Sequence, residues 1–438
     1  MKTHHFSANT IYSLTAIAVT AFLMISCSGQ SDSPDNSITL TNPLDIEKVD
    51  EPVLIPRDQL TELIGTIQEG MLPVVQNQEG ELLASQVDDV DLDGEWDELA
   101  FLADIPAGSS LDVSIQFRPE EDYPEFTTRT NIRFGVKQDS EVEHVQELEI
   151  LAEELPTPPF ARFQMDGPAW ENDKVGFRQY IDGRNARDLY GKRTSDMALD
   201  PVGLSDEGEI EDNYHVMRDW GRDILAVGNS LGIGGLAILH NDEPVRLGIT
   251  LNDDTHNIER THYQQISSGP VRSMFKITYD GWQVGDQSYG LENTVTIWGG
   301  KYLHANDVTL HSDATTDTLI VGLVNINNDR PVEERFSEYG AWTGILTHDQ
   351  QTYDKDYYLG MGLILPSEYY LGYIEAPNEG SGIVQSYNAL LEASNGKSFR
   401  YYVTAGWELS NSNFTDREYF FEYAETEMNH ISNPVQIQ

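Results

Sequence analysis

From about residue 38 onward, the chain consists of short apolar runs that are separated by turn-forming residues. Runs of this kind occur at residues 37–40, 52–55 and 111–117. Several runs alternate apolar and polar residues, and most are bounded by Gly, Asp or Asn, which is typical of antiparallel strands. The chain is therefore expected to be mainly β. The later runs are at residues 232–239, 270–279, 291–298, 308–311, 318–324, 357–365 and 399–407.

A proline-rich segment at residues 153–160, with the sequence EELPTPPF, is the best candidate for a domain boundary. We predict an N-terminal β-sandwich domain over residues 38–155. A large antiparallel β-sandwich is predicted over residues 156–438, with a concave sheet that can hold an elongated ligand.

One helix is predicted near the C-terminus, and few others are expected. Thr415 and Glu418 have the spacing of a capping box, and Phe414 and Tyr419 are placed as a hydrophobic staple. We expect this helix to pack on the sandwich as a structural lid.

The N-terminus has the features of a targeting segment. Lys2 precedes an apolar run at residues 11–25, which is short for a membrane span and ends in Leu-Met-Ile-Ser-Cys. This pattern resembles a bacterial lipoprotein signal, so we predict removal of residues 1–26, lipidation of Cys27 and a polar tether over residues 27–37. The protein would then be lipid-anchored to the cell envelope and would contact a membrane only through that anchor. An ordinary secretory signal with an incidental cysteine is the alternative.

The chain contains 73 Asp and Glu residues but only 27 Lys and Arg residues, which gives a formal net charge of -46. Such a surface repels phosphate backbones, so no nucleic-acid partner is expected. Any anionic ligand must be met by a local basic pocket. Positive charge is concentrated in residues 162–193, which contain Arg162, Lys174, Arg178, Arg184, Arg187, Lys192 and Arg193.

Within this basic stretch, Trp170, Glu171, Asn172 and Asp173 follow one another. A tryptophan ring can stack on a sugar, and the three polar groups can bind sugar hydroxyls. We therefore consider all four residues as candidates for substrate binding. A buried tryptophan in the sandwich core is the competing interpretation.

Arg178, Tyr180, Asp182 and Arg184 occupy alternate positions, so they would line one face of an extended strand. Two guanidinium groups can bind a carboxylate or a sulfate bidentately, and Lys192 can extend such a site. An internal ladder of Asp–Arg salt bridges is the alternative.

Tyr214 and His215 are the candidates for proton transfer. Histidine is suited to proton transfer near neutral pH, and tyrosine can donate or accept a proton when its pKa is perturbed. Adjacent residues of a strand point to opposite faces, so both can serve one substrate only from a loop or a bulge. A lone surface histidine is the alternative for His215, and His304 and His348 are rival bases.

The segment at residues 86–104 is rich in acidic residues and contains the D-x-D-x-D-G spacing of a calcium loop. A structural calcium ion is therefore considered, although the twelfth position is Ala100 rather than a bidentate glutamate. The alternative is a plain hairpin that turns at Asp93 and Gly94. The candidate ligands are Asp89, Asp91, Asp93 and Asp97.

Four motifs resemble those of a known family. They are G-P-x-W-E-N-D at residues 167–173, R-x-Y-x-D-x-R-N at 178–185, D-x-x-G-K at 188–192, and Y-H with W-G-x-D within 214–223. The pattern is similar to that of bacterial proteins encoded beside polysaccharide-degrading enzymes, whose characterised type is the ulvan oligosaccharide dehydratase. The acidic hairpin also matches, so the resemblance covers most of the mature chain.

The resemblance implies removal of water from a non-reducing-end glucuronic or iduronic acid linked to rhamnose 3-sulfate. The product would be a 4,5-unsaturated uronate. The partner is thus expected to be a sulfated, uronate-containing oligosaccharide, and the chemistry requires no cofactor. The second sandwich, a supersandwich of the galactose-mutarotase-like kind, would be the catalytic domain.

The chemistry needs a base for the C5 proton, a group that stabilises the carboxylate, and an acid for the C4 hydroxyl. One alternative function is a polysaccharide lyase that acts by β-elimination, and another is a non-catalytic surface glycan-binding lipoprotein. Our hypothesis assigns the uronate carboxylate to Arg178 and Arg184, the C5 proton to His215, and the leaving hydroxyl to Tyr214 or Tyr180. The sulfate is assigned to Lys192 or another basic residue, and ring stacking to Trp170.

Overall fold

The computed structural model describes residues 36–139, 141–155, 162–250, 256–338 and 340–438. These residues form the α-helices α1 (Arg57–Ile64) and α2 (Arg417–Ser432). Their strands are, in chain order, β1 (Ser37–Thr41), β2 (Lys48–Pro56), β3 (Met71–Gln76), β4 (Ser85–Asp88), β5 (Glu98–Ile105), β6 (Ser110–Pro119), β7 (Thr130–Arg133), β8 (Gly135–Gln138), β9 (Glu141–His144), β10 (Glu147–Leu151), β11 (Ala169–Asn172), β12 (Val175–Gln179), β13 (Arg187–Lys192), β14 (Gly221–Asp223), β15 (Ile233–His240), β16 (Glu243–Arg246), β17 (Arg260–Ser268), β18 (Arg272–Val284), β19 (Gln287–Trp298), β20 (Leu303–His311), β21 (Thr316–Val324), β22 (Glu333–Phe336), β23 (Trp342–Asp349), β24 (Leu359–Pro366), β25 (Tyr370–Glu375), β26 (Ser386–Ser394), β27 (Ser398–Trp407) and β28 (Gln436–Ile437).

The largest sheet has nine strands in the order β10-β17-β18-β19-β20-β27-β24-β23-β22. Neighbouring strands run antiparallel throughout this sheet. In β19, Tyr289, Leu291 and Val295 are buried at alternate positions and belong to the main hydrophobic core. The alternation read from the sequence thus corresponds to one buried face of a strand.

Two five-stranded sheets pack on the same core. Their strand orders are β14-β13-β12-β11-β7 and β16-β15-β21-β26-β25. Phe177 of the first sheet, Val321 of the second and Phe275 of the nine-stranded sheet belong to one cluster of buried residues. The predicted fold class, mainly β with a large antiparallel sandwich and few helices, is confirmed.

The N-terminal part forms a smaller sandwich with its own core. One of its sheets has the order β28-β1-β6-β3, and the other has the order β2-β5-β4. Ile38, Val53, Phe101 and Ile115 are buried between them. The last strand of the chain therefore completes the first sandwich, where Ile437 pairs with Leu40.

Strand pairing crosses the predicted boundary between residues 155 and 156. β7 pairs with β11, and β10 pairs with β17, so strands from before the boundary extend sheets that follow it. Residues 36–438 form one compact unit. The boundary adjoins residues 156–161, which are outside the described residues, and the two-domain division stays a prediction.

The predicted C-terminal helix is present as α2, but its cap differs from the prediction. The side chain of Asp416 accepts a hydrogen bond from the Glu418 amide at 2.9 Å, so Asp416 is the N-cap. Thr415 lies in a 3₁₀ turn that buries Phe414. The capping-box prediction is wrong by one residue because this turn delays the start of the helix. The expected contact of Phe414 with Tyr419 forms, with ring centroids 5.6 Å apart.

The predictions for the N-terminus fall mainly on residues that the structure does not describe. The signal segment at residues 1–26, the lipidation site Cys27 and the tether up to residue 35 lie outside the described residues. Ser37, the last residue of the predicted tether, already begins β1. Within the described residues, no helix is both long and apolar enough to cross a membrane.

The N-cap assignment predicts that Asp416→Ala lowers the free energy of unfolding by about 1 kcal/mol, because an amide at the helix N-terminus loses its acceptor. Thr415→Ala is the matched control. The Thr415 hydroxyl donates only to the exposed Ser412 carbonyl, at 2.9 Å, so its removal should cost clearly less. Urea denaturation of both variants measures the difference. A larger loss for the Thr415 variant would contradict the assignment.

Candidate active site

The five-stranded sheet that contains β12 has one face on the main core and one polar face. The strand register places Arg178 of β12 opposite Asp188 of β13, and Tyr190 of β13 opposite Asp223 of β14. Directly opposite residues of neighbouring strands share a face, and so do residues two apart on one strand. Side chains from three strands therefore converge on the polar face.

Arg178 is the buried centre of this polar cluster, with 2% of its surface exposed. Its Nε and Nη2 atoms donate to Asp188 Oδ2 at 3.1 and 2.6 Å, and Nη2 also donates to Asp223 Oδ2 at 2.7 Å. Two carboxyl groups thus face one guanidinium. Burial, together with repulsion from Asp188, raises the pKa of Asp223 well above its ordinary value.

Three tyrosines surround the guanidinium of Arg178. The Tyr180 hydroxyl accepts from Nη2 at 2.8 Å and donates to Asp188, and the Tyr214 hydroxyl accepts from Nη1 at 2.8 Å. The Tyr190 ring centroid lies 5.4 Å from Arg178 Cζ. Burial raises the pKa of all three hydroxyls above the ordinary tyrosine value. They therefore keep their protons at neutral pH and can act as donors.

Asp166 enters the cluster from a strained turn. Met165 and Asp166 have φ angles of 55° and 61°, a left-handed conformation that is uncommon for residues other than glycine. One carboxylate oxygen of Asp166 lies 3.4 Å from both Arg178 Nη1 and the Tyr214 hydroxyl. Burial raises the pKa of Asp166 above its ordinary value. A second carboxyl group with a raised pKa thus borders the site.

Tyr214 and His215 lie in a turn before β14, which lets both side chains reach the same cluster. His215 Nδ1 is 3.5 Å from Asp223 Oδ2, and Nε2 is 2.9 Å from Asp212 Oδ1. The His215 side chain is 43% exposed, whereas that of Asp223 is buried. His215 therefore stands between solvent and the buried carboxyl groups.

Residues 178–184 are not a single extended strand, so the predicted alternation along one face is wrong there. β12 ends at Gln179, and Gly183, with a φ of 96°, forms part of a turn. The turn folds Arg184 back over Tyr180, with Cζ 3.9 Å from the ring centroid. Arg184 also pairs with Asp182 at 2.5 Å. Arg184 and Asp182 thus form an Asp–Arg salt bridge of the kind considered as the alternative. Arg184 remains at the edge of the site.

The prediction that Trp170 stacks on a sugar is wrong, because its side chain is 0% exposed. Its ring packs against Phe177, Phe275 and His304 in the main core. β11 lies inside its sheet, between β7 and β12, and Trp170 is on the face that the nine-stranded sheet covers. The competing interpretation of a core tryptophan is correct.

The polar residues that follow Trp170 are structural as well. Lys192 is buried, pairs with Glu171 and donates to the Asn172 carbonyl at 2.6 Å. The predicted contacts of Glu171, Asn172 and Lys192 with substrate are therefore wrong, since burial and these partners keep them from a ligand. Asp173 is partly exposed, but its carboxylate pairs with Arg129 at 2.7 Å.

The rival bases are core residues. His304 is fully buried, and burial followed by the nearby Arg187 lowers its pKa well below the ordinary histidine value. His348 is buried too, and its Nε2 lies 2.8 Å from the Phe414 carbonyl. Neither ring reaches solvent, which leaves His215 as the better placed base.

Several residues of the site were not predicted. Tyr353 is 57% exposed, and its ring lies 6.0 Å from that of His215 at an interplanar angle of 27°. Asp188 and Asp223 fall inside motifs of the sequence, and the need of a buried arginine for counterions is the signal that could have identified them. The residues missed are Asp166, Asp188, Tyr190, Asp223 and Tyr353.

The predicted acidic hairpin forms between β4 and β5. In its loop, carboxylate oxygens of Asp89, Asp91 and Asp97 lie within 4.8 Å of one another, and Asp93 is outside this group. Backbone amides already donate to these carboxylates, for example Gly94 to Asp89 at 2.8 Å. Three oxygen ligands fit a hard cation such as calcium. A structural calcium ion at this loop stays a prediction.

The fold and the buried polar cluster define a β-rich protein with a polar site at the edge of a small sheet. The chain belongs to the family described as "Domain of unknown function (DUF4861)", whose model matches residues 40–437. A relative from Formosa agariphila named "Uncharacterized protein P7" is 25% identical over 372 residues, which are 80% of this chain and 82% of that protein.

Similar solved structures include two proteins from Enterococcus faecalis. One is an alpha-mannosidase, with 10% identity and a TM-score of 0.41, and the other is a protein in glycosyl hydrolase family 38, with 11% identity and a TM-score of 0.44. Each match covers 92% of this chain. The chain spans only 45% and 47% of the lengths of those two proteins.

The buried ion cluster predicts that Arg178→Met lowers the free energy of unfolding by about 3–5 kcal/mol near neutral pH, because Asp188 and Asp223 lose their counterion. Arg178 lowers the pKa of Asp223, so without the guanidinium the pKa of this buried carboxyl group rises further above its ordinary value. The loss should therefore shrink as pH falls and Asp223 takes up a proton in the folded variant.

Urea denaturation at several pH values measures this effect. Arg260→Met is the matched control, because Arg260 pairs with Asp280 at 2.5 Å on the exposed surface of the nine-stranded sheet. Its removal should change stability far less. Equal effects of the two substitutions would contradict the central role of Arg178.

Proposed function

We propose that the protein is an oligosaccharide dehydratase that removes water from the non-reducing-end glucuronic or iduronic acid of ulvan-type oligosaccharides. The observation that carries this proposal is the arrangement around Arg178. A half-exposed histidine faces a buried carboxyl group, beside tyrosine hydroxyls that a buried guanidinium holds in place. This set contains a base, an acid and neighbouring cations, which are the groups that elimination next to a carboxylate requires.

In this proposal His215 takes the C5 proton. Asp223 lies on the Nδ1 side of the ring and orients it, so that Nε2 is the nitrogen directed away from the protein interior. Nε2 lies 2.9 Å from Asp212, whose side chain is 69% exposed. A substrate can displace this exposed carboxylate. Removal of the C5 proton then leaves the electron pair of the C–H bond to form the C4–C5 double bond.

Arg184 is the proposed partner of the uronate carboxylate. The earlier assignment of Arg178 to this role is wrong, because its Nε, Nη1 and Nη2 atoms all donate to protein groups inside the cluster. Arg184 is at the edge of the site and lies against the Tyr180 ring. A guanidinium there stabilises the negative charge that develops on the carboxylate as the C5 proton leaves.

Tyr214 is the proposed acid for the leaving C4 hydroxyl. Its proton passes to the departing oxygen as the C4–O bond breaks, and water is released. Arg178 Nη1 donates to the Tyr214 oxygen at 2.8 Å and so stabilises the tyrosinate that forms. Tyr180 is the less suitable acid because its hydroxyl donates to the buried Asp188. After each turnover His215 loses the proton that it took from C5, and the Tyr214 oxygen regains one, either directly from His215 or by exchange with solvent.

Exposed groups beside the cluster supply the proposed sugar contacts in place of Trp170 and Lys192. Tyr353 stacks near His215 and offers a ring face to the terminal sugar. A groove that includes Tyr214 continues past Arg218 and Trp220. The exposed Arg218 is suited to a sulfate on the next sugar, and the Trp220 ring to its apolar face.

We also propose that the protein is held at the bacterial cell envelope by a lipid on Cys27. The support is the sequence pattern that ends in this cysteine, the only one in the chain. An envelope location is consistent with a substrate that arrives as an external polysaccharide fragment.

The proposal predicts that His215→Ala lowers kcat by about 10²-fold or more on an oligosaccharide with a saturated uronic acid at its non-reducing end. The rise in ultraviolet absorbance of the conjugated uronate measures turnover. His262→Ala is the matched control, because His262 also pairs with a carboxylate, Glu147 at 3.0 Å, but lies on β17 of the nine-stranded sheet. If His215→Ala turns over within a few fold of the unaltered protein, His215 is not the base.

A further inference from the structure

A second cavity lies where three parts of the fold meet. β2 of the small sandwich, the outer face of the nine-stranded sheet and α2 border an open cavity of about 240 Å³, far more than the roughly 10–15 Å³ that one water needs. Its lining is distinct from the residues of the candidate active site. The residues that line it include Glu51, Trp298, Lys301, Tyr402, Glu427 and His430.

The floor of this cavity is formed by Glu51, Lys301 and Glu427, which belong with Lys48 to a buried cluster of charges. Lys48 Nζ pairs with Glu51 at 2.6 Å, and Lys301 Nζ lies 3.2 Å from Glu51 and 3.4 Å from Glu427. All four side chains are at least nine-tenths buried. Two ammonium groups thus balance two carboxylates, and the cluster has polar atoms but no net charge.

Two polar side chains of the cavity wall lack a hydrogen-bond partner among the described residues. Both ring nitrogens of His430 and the Nε1 atom of Trp298 are buried without one. His430 Nδ1 is 3.9 Å from both Glu51 and Glu427, which is too long for a hydrogen bond. Buried polar groups are almost always satisfied, and a small rotation of either side chain toward the cavity would bring these nitrogens within reach of a ligand or of ordered water.

We propose that this cavity is a binding site for a neutral saccharide unit. A sugar hydroxyl both donates and accepts, which matches a histidine ring, an indole N–H donor and carboxylate acceptors. The rings of Trp298 and Tyr402 supply apolar walls for the C–H face of the sugar. The site would hold a second part of a glycan, or a separate sugar, away from the catalytic cluster.

The same charges exclude an anionic ligand. Lys48 and Lys301 are already paired with carboxylates, and Arg400 at the rim is held by Asp307 at 2.8 and 2.7 Å. Burial, the largest effect, lowers the pKa of His430 below its ordinary value, so its ring is neutral at neutral pH. A uronate in the cavity would lose its hydration without gaining a free cation.

Saturation-transfer NMR and calorimetry on the full-length protein test the proposal. The probes are D-glucose, D-galactose, D-mannose and L-rhamnose, with D-glucuronate as the charged comparison. We expect at least one neutral sugar to bind more tightly than glucuronate. His430→Gln and Trp298→Phe should each weaken that binding by about fivefold or more, the effect of losing one hydrogen bond in a buried site.

Misfolding of a variant could imitate a loss of binding. His430→Gln and Trp298→Phe are therefore both tested, and each is first shown to unfold cooperatively near the transition of the unaltered protein. His215→Ala is the control for the catalytic cluster and should leave neutral-sugar binding unchanged, whether or not the protein is a dehydratase. The proposal is overturned if none of the neutral sugars binds, if both cavity variants bind them normally, or if His215→Ala abolishes the binding.

Discussion

The candidate active site is built around the guanidinium of Arg178, which lies buried between two carboxyl groups. Arg178 is covered by protein on all sides, and Asp188 and Asp223 both approach its Nη2 atom within 2.7 Å. Taking such ions out of water costs several kcal/mol each, and the pairing offsets this cost only when the geometry is good. The cluster is therefore poor evidence for added stability and good evidence for a fixed arrangement. That arrangement is what orients Tyr180 and Tyr214.

The backbone pairing of the sheet determines which residues of the cluster lie opposite each other. Backbone pairing sets Arg178 opposite Asp188, and the next strand sets Asp223 opposite Tyr190. The segment between β13 and β14 then covers the polar face with a small apolar cluster that includes Leu199 and Val202. Water is excluded from Arg178, while His215, from the same segment, remains partly exposed. The segment between β13 and β14 thus buries the part of the site around Arg178 and leaves the part around His215 accessible to solvent.

Much of the fold could be predicted from the sequence because strand alternation is a local signal. The run at residues 399–407 is β27 almost residue for residue, and the acidic hairpin forms as expected. The site was harder to predict from the sequence because the residues that form it are far apart along the chain. Asp223 meets Arg178 across 45 residues, and no pattern along the chain reports that distance. Gly183 was a readable turn signal that argued against one extended strand from Arg178 to Arg184.

The prediction for Trp170 also failed because burial depends on contacts between distant parts of the chain. Its motif is dense in groups that bind sugars, yet β11 is an inner strand, and both of its faces are covered. Alternation indicates which residues share a face, but it does not show that a later segment of the chain will cover the polar face as well. The basic stretch contains Arg178, the centre of the polar cluster, while its Arg187 and Lys192 are buried and pair with protein groups.

The most direct test of the account is the mass of the product that the unaltered protein makes from a defined oligosaccharide with a saturated uronic acid at its non-reducing end. A dehydratase gives a product that keeps every sugar and weighs one water less, with a new ultraviolet absorbance. A shortened chain would identify a lyase instead. An unchanged mass, with binding retained, would identify a glycan-binding protein and contradict the proposed chemistry.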